Sequence, residues 1–369
     1  MMQGFSMRAG LAALALAALS GTALAKKNAP KTPEPPPLTA DAINGAALPA
    51  EAGADKAQAK PAGKASDKKP VAGKSDRPDP LLVKVQVLLD RARFSPGAID
   101  GRDGDNLRGA IAAYAAAQGM PEARAPTPAL LDKLQADSKP VVTEYTVSED
   151  DAKTPFLKRV PRKMKEQADL DGLGYTNARE MLAERFHMSR DLLSALNPGK
   201  TFDKAGTVLL VAAVTPLEGG RPNPKALPQE PKVERIEVDK SSRDVRALDK
   251  DGKLLAYYPA SIGSAEKPAP SGETKVTRVA FDPTYTYNPK YAFKGVTARR
   301  KFTIKAGPNN PVGAVWIDLA IESYGIHGTP EPENVGKTES HGCIRLTNWD
   351  ARDLGLHVAK GARVSFKDG

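Results

Sequence analysis

The 369-residue sequence has one cysteine, four histidines and two tryptophans, and aromatic residues make up only 5% of it. A single cysteine excludes any disulfide within the chain and any cysteine-rich zinc framework, so Cys343 is either a small buried hydrophobe or a reactive thiol. Imidazole chemistry is limited to His187, His327, His341 and His357. No apolar run reaches the roughly 20 residues that a membrane-spanning helix needs. Acidic residues are in deficit, 44 against 54 basic ones, which leaves a formal charge of +10. Such a chain suits nucleic acid, an anionic membrane surface or an acidic polymer, and charge alone does not choose among them. The length is enough for two or three ordinary domains.

The N-terminus carries Arg8, an apolar run over residues 9–19, then Ala23, Leu24 and Ala25 ahead of Lys26 and Lys27. This pattern predicts a signal peptide over residues 1–25 and an exported mature chain with no membrane span. A short N-terminal anchor is the alternative, and the lack of a nearby cysteine excludes a lipid anchor. Residues 26–79 are rich in Ala, Pro and Lys, with Lys56, Lys60, Lys64, Lys68, Lys69 and Lys74 interrupted by Asp55, Asp67 and Asp76. The composition predicts a disordered basic tether that buries no core, serving either to hold the protein near an anionic wall or as a solvated spacer.

Helical spacing begins after that. Leu81, Val85, Leu88 and Ala92 share one face, Leu107, Ile111, Tyr114 and Gln118 another, and Thr127 with Pro128 opens a third helix through Leu134. Between the first two helices, residues 94–101 read Phe-Ser-Pro-Gly-Ala-Ile-Asp-Gly, a turn-rich connector pinned to the core by Ile99. With Gln86 and residues 110–114, this pattern resembles a three-helix peptidoglycan-binding domain over residues 80–138, and the resemblance implies cell-wall binding. Farther on, Tyr145 to Val147 has strand character. Asn177 and Glu180 form a capping-box pattern, a second helix runs from Ser189 to Leu196 before Asn197-Pro198, and residues 207–214 close as a strand. Residues 143–215 thus resemble a LysM carbohydrate-binding module. They depart from it by some thirty residues, including Lys158 to Lys165, between the first strand and the first helix. A plain structural module is the alternative. His187 and His357, at helix ends, read as surface or dipole-facing residues.

Pro216, Pro222, Pro224, Pro228 and Pro231 predict a stiff linker over residues 216–231. Residues 232–369 then alternate at strand spacing through Ile236, Val238, Val245 and Ala247, with a hairpin turn at Asp251-Gly252 and one clear helix from Asn348 to Val358. The fold class expected is therefore multidomain: a disordered tether, a small helical domain, an α+β module and a C-terminal mostly-β domain.

Cys343 lies in Ser340-His341-Gly342-Cys343-Ile344-Arg345, between a polar loop and the predicted helix start. Arg345, an imidazole and amides near a helix start would each lower its pKa and favour the thiolate. Two bases are in range. His341 sits on a tight Gly turn that brings its backbone N–H near the cysteine without aiming its ring. His327 closes a strand and opens the loop that returns to Cys343, which makes it the better base. The Gly342 turn permits amide donors to converge on an oxyanion.

Asn310-Pro311-Val312-Gly313, Ile326-His327-Gly328-Thr329 and the Ser340 to Arg345 stretch, in that order and spacing, resemble the L,D-transpeptidase (YkuD) catalytic domain over residues 233–366. The resemblance implies Cys343 as nucleophile, His327 as base, the Gly328 carbonyl orienting His327, and backbone N–H groups of His341, Gly342 and Cys343 as oxyanion donors. Ser340 and Arg345 would shape the loop. It also implies no cofactor and a periplasmic site. The substrates implied are peptidoglycan glycan and stem peptides, with acyl transfer from a tetrapeptide stem to a neighbouring stem to give 3→3 cross-links. Transfer to a protein amine or to water is a further family activity. Lys294, Arg299, Arg300 and Lys301 would then meet acidic stems or simply form a solvated face. Tyr285, Tyr287 and Tyr291 would line the cleft or pack over the sheet.

Three rival readings remain at this point. One Cys and two His could hold zinc, although no zinc-peptidase spacing is present. A wall-binding scaffold without activity is the second, and an activated thiol is superfluous to it. Nucleic-acid binding would explain the charge, but export and the lack of a basic, aromatic-interleaved motif oppose it.

Overall fold

The computed structural model describes residues 38–48, 77–136, 138–223, 225, 227–228, 232–264, 267–291, 298–339 and 342–368. The expected signal peptide, most of the expected tether, Lys294, Ser340 and His341 lie outside the described residues.

Residues 38–48 correct the reading of the tether as a segment that buries nothing. The Thr39 hydroxyl caps α1 (Ala40–Asn44), accepting from the Ala42 amide at 3.1 Å, and Ile43 is fully buried. Asn44 Oδ1 accepts the Val141 and Val142 amides at 2.8 and 3.0 Å, and Lys84 Nζ donates to the Asn44 and Ala46 carbonyls at 3.0 and 2.8 Å. Leu38, Ile43 and Leu48 supply apolar surface here that the lysine-rich remainder lacks.

Capping fixes the helices that follow. Asp79 accepts the Leu81 and Leu82 amides to start α2 (Pro80–Arg91), α3 (Asp105–Ala117) comes next, and Thr127 with Pro128 starts α4 (Pro128–Leu134). The next segment runs β1 (Val142–Thr146), α5 (Glu149–Ala152), α6 (Met164–Gln167), α7 (Ala178–Arg185), α8 (Arg190–Leu196) and β2 (Val208–Ala212), with β1 and β2 antiparallel. Leu88, Ile111 and Leu130 from the first segment join Leu182, Leu192 and Leu209 from the second in one apolar cluster. The two segments therefore share a core.

Asp151 ties this second segment together, accepting from Tyr145 OH at 2.5 Å, the Ser148 amide at 2.9 Å and Arg185 at 2.5 Å. Burial opposes its charge, but these donors outweigh burial and hold the carboxyl down at about 2. A depressed carboxyl stabilises the fold above its unfolded pKa and loses that stabilisation as pH falls toward the folded value. Asp151→Asn is thus expected to destabilise the protein by on the order of 1–2 kcal/mol at pH 7, with the gap to wild type closing between about pH 4 and 2. Urea unfolding at both ends of that window checks it.

The C-terminal domain contains β3 (Val233–Asp239), β4 (Asp244–Leu248), β5 (Leu254–Pro259), β6 (Ser261–Ile262), β7 (Gly272–Phe281), β8 (Tyr285–Tyr287), β9 (Phe302–Ile304), β10 (Val315–Leu319), β11 (Gly325–His327), β12 (Ile344–Arg345), α9 (Asn348–His357) and β13 (Val358–Lys367). Among the described residues, nine strands form one sheet in the order β5-β4-β3-β13-β7-β10-β11-β12-β6, and β8 pairs separately with β9. The β13–β3 and β11–β12 pairs are parallel. Ala351 and Leu354 of α9 pack into the same core as Val315, Ile317 and Ile326 of the sheet.

The connector over residues 94–101 joins all three segments. The Ser95 amide donates to the Tyr257 carbonyl at 2.9 Å on the β5 side, and the Ile99 amide donates to the His187 carbonyl at 2.8 Å on the other. Ser95 Oγ reaches Asp350 on α9 at 2.9 Å. His187 is not a surface residue: a positive φ of 59° turns it inward, where its ring stacks on Trp349 at 5.1 Å and Nδ1 lies 3.0 Å from Asp90. His357 Nδ1 lies 2.7 Å from the Asp353 carbonyl near the C-terminal end of α9. The expected linker is docked at two points, with the Leu217 amide on the Arg185 carbonyl and Arg352 on the Gly220 carbonyl. No helix among the described residues is long and apolar enough to cross a membrane.

Candidate active site

Strand pairing brings together two residues sixteen positions apart in sequence. On β11 and β12, Ile326 lies opposite Ile344 and His327 opposite Arg345, which sets Gly325 against Cys343 one step earlier. The Cys343 thiol takes a hydrogen bond from the Gly325 backbone.

His327 is buried, with Nδ1 2.6 Å from the Gly328 carbonyl oxygen. A carbonyl only accepts, so Nδ1 carries the proton and Nε2 keeps its lone pair. The ring stacks on Trp316 at 5.5 Å. Burial, and then the Arg345 charge, push the imidazole down to about 3, while the Gly328 carbonyl pulls the other way. His327 is therefore neutral at pH 7.

The expectation of a lowered thiol pKa is overturned. Burial pushes Cys343 up, and the Gly325 N–H and the Arg345 and Lys267 charges oppose burial without cancelling it. No helix start lies at the cysteine, because β12 intervenes before α9 begins at Asn348. The resting pair is a neutral thiol and a neutral imidazole. Arg345 is itself pushed down by burial.

Gly342 has a φ of 119°, and its carbonyl accepts a hydrogen bond from Tyr324 OH. In a trans peptide the carbonyl of one residue and the N–H of the next point in opposite directions, so Tyr324 also fixes the direction of the Cys343 N–H. Burial and the nearby Cys343 raise the Tyr324 phenol, which keeps it a donor. Burial, and then Cys343 and Tyr287, push Tyr285 up to about 12. Tyr287 instead packs on Phe302 at 4.9 Å, Tyr291 OH donates to Glu322, and Arg299, Arg300 and Lys301 are exposed.

Sequence reasoning missed Tyr324, Trp316, Lys267 and Asn348. Tyr324 carried a signal, as an aromatic three residues before the histidine on the same run. Lys267 carried none, since its loop follows β6 and reaches the thiol only through the sheet.

A family model described as the L,D-transpeptidase catalytic domain (YkuD) matches residues 233–365. The chain is 33% identical over 166 residues to a Bacillus subtilis protein named as an L,D-transpeptidase, YqjB, covering 43% of this chain and 81% of that protein. It is 29% identical over 189 residues to the YkuD protein of Bacillus licheniformis, covering 51% of this chain and 92% of that one. Over 200 residues it is 30% identical to YbiS of Escherichia coli, covering 53% of this chain and 61% of that one. Both of these proteins are likewise named as L,D-transpeptidases. A solved L,D-transpeptidase 3 from Mycobacterium tuberculosis overlaps with a TM-score of 0.31 at 16% identity, over 44% of this chain and 67% of that one, which is too partial to add weight. On one-third identity across four-fifths of a relative, together with the matched catalytic domain, this chain belongs to the L,D-transpeptidase family.

Proposed function

We propose that this protein cross-links peptidoglycan by cysteine acyl transfer. The observation that carries the reading is a neutral imidazole, held by the Gly328 carbonyl, on the strand paired with the one that Cys343 precedes. His327 Nε2 takes the thiol proton as Cys343 Sγ attacks the stem carbonyl that precedes the terminal D-Ala. The tetrahedral oxyanion is held by the backbone N–H groups of Gly342, Cys343 and His341, each such donor contributing roughly 3–4 kcal/mol. The proton passes to the departing D-Ala amine and leaves a thioester. Attack by the diamino acid side chain of a neighbouring stem then gives a 3→3 cross-link and restores the thiol. Water or a protein amine in the same position gives a carboxypeptidase or a protein-anchoring reaction. Ser340 and Arg345 shape the loop, and no step calls on a cofactor.

Residues 80–138 serve as a peptidoglycan-binding domain and residues 143–215 as a LysM-like glycan module, with residues 216–231 as the connection to the catalytic domain at 232–369. Holding the catalytic domain against an immobile polymer raises its effective concentration there. A signal peptide over residues 1–25 delivers the chain to the periplasm, and the lysine-rich stretch up to residue 79 keeps it near the wall.

Incubating the protein and Cys343→Ala with purified disaccharide-tetrapeptide, with products read by mass spectrometry, tests the reading. The expected product is a Cys343-dependent dimer lacking one D-Ala. A Cys343-dependent tripeptide without dimer would assign water or a protein amine as acceptor. An untouched substrate in both samples would leave a non-enzymatic wall-binding scaffold.

A further inference from the structure

Helix α7 lies outside the catalytic domain, yet two of its carboxyl groups hold asparagine side chains of that domain, one of which packs against the backbone on which His327 rests. Glu180 Oε1 accepts from Asn309 Nδ2 at 2.8 Å. Glu184 Oε1 accepts from Asn348 Nδ2 at 2.8 Å and from Tyr175 OH at 3.3 Å. Asn348 is fully buried, and its amide is oriented by two further bonds, Nδ2 to the Pro308 carbonyl at 3.2 Å and the Ala314 amide to Oδ1 at 2.9 Å. Its Oδ1 fills the space beside Gly313 and Gly328, where a Cβ at either position would lie 2.1 Å from it. Gly328 is the residue whose carbonyl meets His327 Nδ1. A continuous run of contacts therefore leads from the Glu184 carboxyl through the Asn348 amide and the Gly328 peptide to the His327 ring.

The long insertion before α7, which sets residues 143–215 apart from a compact LysM pattern, supports the same junction. The Leu173 amide donates to the Ala306 carbonyl at 3.0 Å, and the Asn309 amide donates to the Leu173 carbonyl at 2.9 Å. The loop that leads into Gly313 is thus clamped from the accessory side.

Granting Cys343 and His327 the roles proposed above, we infer that Glu184 is a positioning residue for the acyl transfer: it orients the Asn348 amide that seats Gly328, and so aims the His327 ring. Burial pushes Glu184 up to about 8, with Glu180 adding to that and Asn348, Tyr175 and Arg190 opposing it. The titratable groups that face it are Tyr175, Glu180 and Arg190, and Arg185 acts on Tyr175. Glu184 is accordingly an uncharged acceptor at pH 7. Its ionisation at higher pH puts a second charge beside Glu180 in a closed junction and pulls the Asn348 amide more tightly onto the carboxylate, so the seat shifts as Glu184 titrates.

The test measures kcat and KM with tetrapeptide from pH 6 to 9 for wild type, Glu184→Ala, Glu184→Gln and Cys343→Ala, with thermal melts on each. A small misplacement of a catalytic group costs rate rather than binding, so Glu184→Ala is expected to lose about tenfold or more in kcat with KM within about twofold of wild type. Glu184→Gln, which keeps the uncharged acceptor, should retain kcat at pH 7 and lack the fall in kcat that wild type shows with a midpoint near 8. Wild-type kcat in Glu184→Ala, or a Glu184→Gln profile that overlays wild type, would overturn the positioning role. If Glu184→Ala does not fold, the near-isosteric Glu184→Gln decides alone. Turnover by Cys343→Ala would remove the nucleophile reading itself, whereas an inert Cys343→Ala beside unaffected Glu184 variants would remove only the positioning role.

Discussion

Replacing His327 with Ala is expected to lower kcat/KM by on the order of 10³-fold, the usual contribution of a positioned general base, while leaving the pH dependence of Cys343 alkylation nearly unchanged. The two halves of this result separate a neutral pair from an ion pair. In a thiolate–imidazolium pair the cation holds the thiol pKa down, so removing the histidine would move the alkylation curve to higher pH. Here the imidazole is pushed down to about 3 and carries no charge in the working range. The thiolate fraction is set instead by burial against the Gly325 N–H and the Arg345 and Lys267 charges. Iodoacetamide rates between pH 6 and 10 for wild type and His327→Ala make the comparison, and an upward shift of about one unit in the variant would refute the neutral pair. A neutral base also places the acid limb of wild-type kcat/KM near the imidazole value of about 3 rather than in the usual histidine range.

The parts of this site that a reader of the sequence can see are those carried by short, contiguous motifs. Cys343, Gly342, His327 and Gly328 occupy two runs whose order and spacing are informative on their own, and the strand end at His327 was legible from Tyr324 to Ile326. Residues brought in by strand pairing left no trace. Lys267 acts on the thiol because β6 pairs with β12, and Trp316 stacks on His327 because β10 pairs with β11. The electrostatic expectation failed for a related reason: Arg345 was visible as a neighbour of Cys343, but the burial that outweighs it is a property of the folded sheet. The helix starts at Thr127, Asn177 and Ser189 were legible, since each caps where the pattern put a start, whereas α1, α5 and α6 were not. Nor were the partners of the helices. Ile99 does pin the connector to the core, but that core is shared: its backbone also pairs with the segment carrying His187, through Met188. Local pattern specifies where an element begins, whereas which elements share a core depends on contacts remote in sequence.

That distinction also governs the most destabilising changes expected near the site, Gly313→Ala and Gly328→Ala. A Cβ at Gly313 would lie 2.1 Å from Asn348 Oδ1, 2.5 Å from the Gly328 carbonyl carbon and 2.6 Å from the Thr329 nitrogen. Two of those three atoms are backbone and cannot yield without moving the His327 support. The residue also has a φ of 62°, a conformation that costs an L side chain extra. Overpacking and backbone strain together predict a loss of about 3–5 kcal/mol for Gly313→Ala. At Gly328 the near atom is the Asn348 side-chain oxygen alone, at 2.1 Å, with Asn348 Cγ at 3.1 Å and the Ala314 nitrogen at 3.3 Å. Relief there means turning the Asn348 amide, at the expense of its bonds to Ala314, Glu184 and Pro308. Gly328→Ala should therefore cost less stability, about 1–3 kcal/mol, yet lose more activity for each kcal/mol, because the strain falls on the peptide that aims the imidazole. Urea midpoints set beside kcat for the two variants test that ordering. If both unfold at the wild-type midpoint, Asn348 is not held where these contacts put it, and the link from α7 to His327 fails with it.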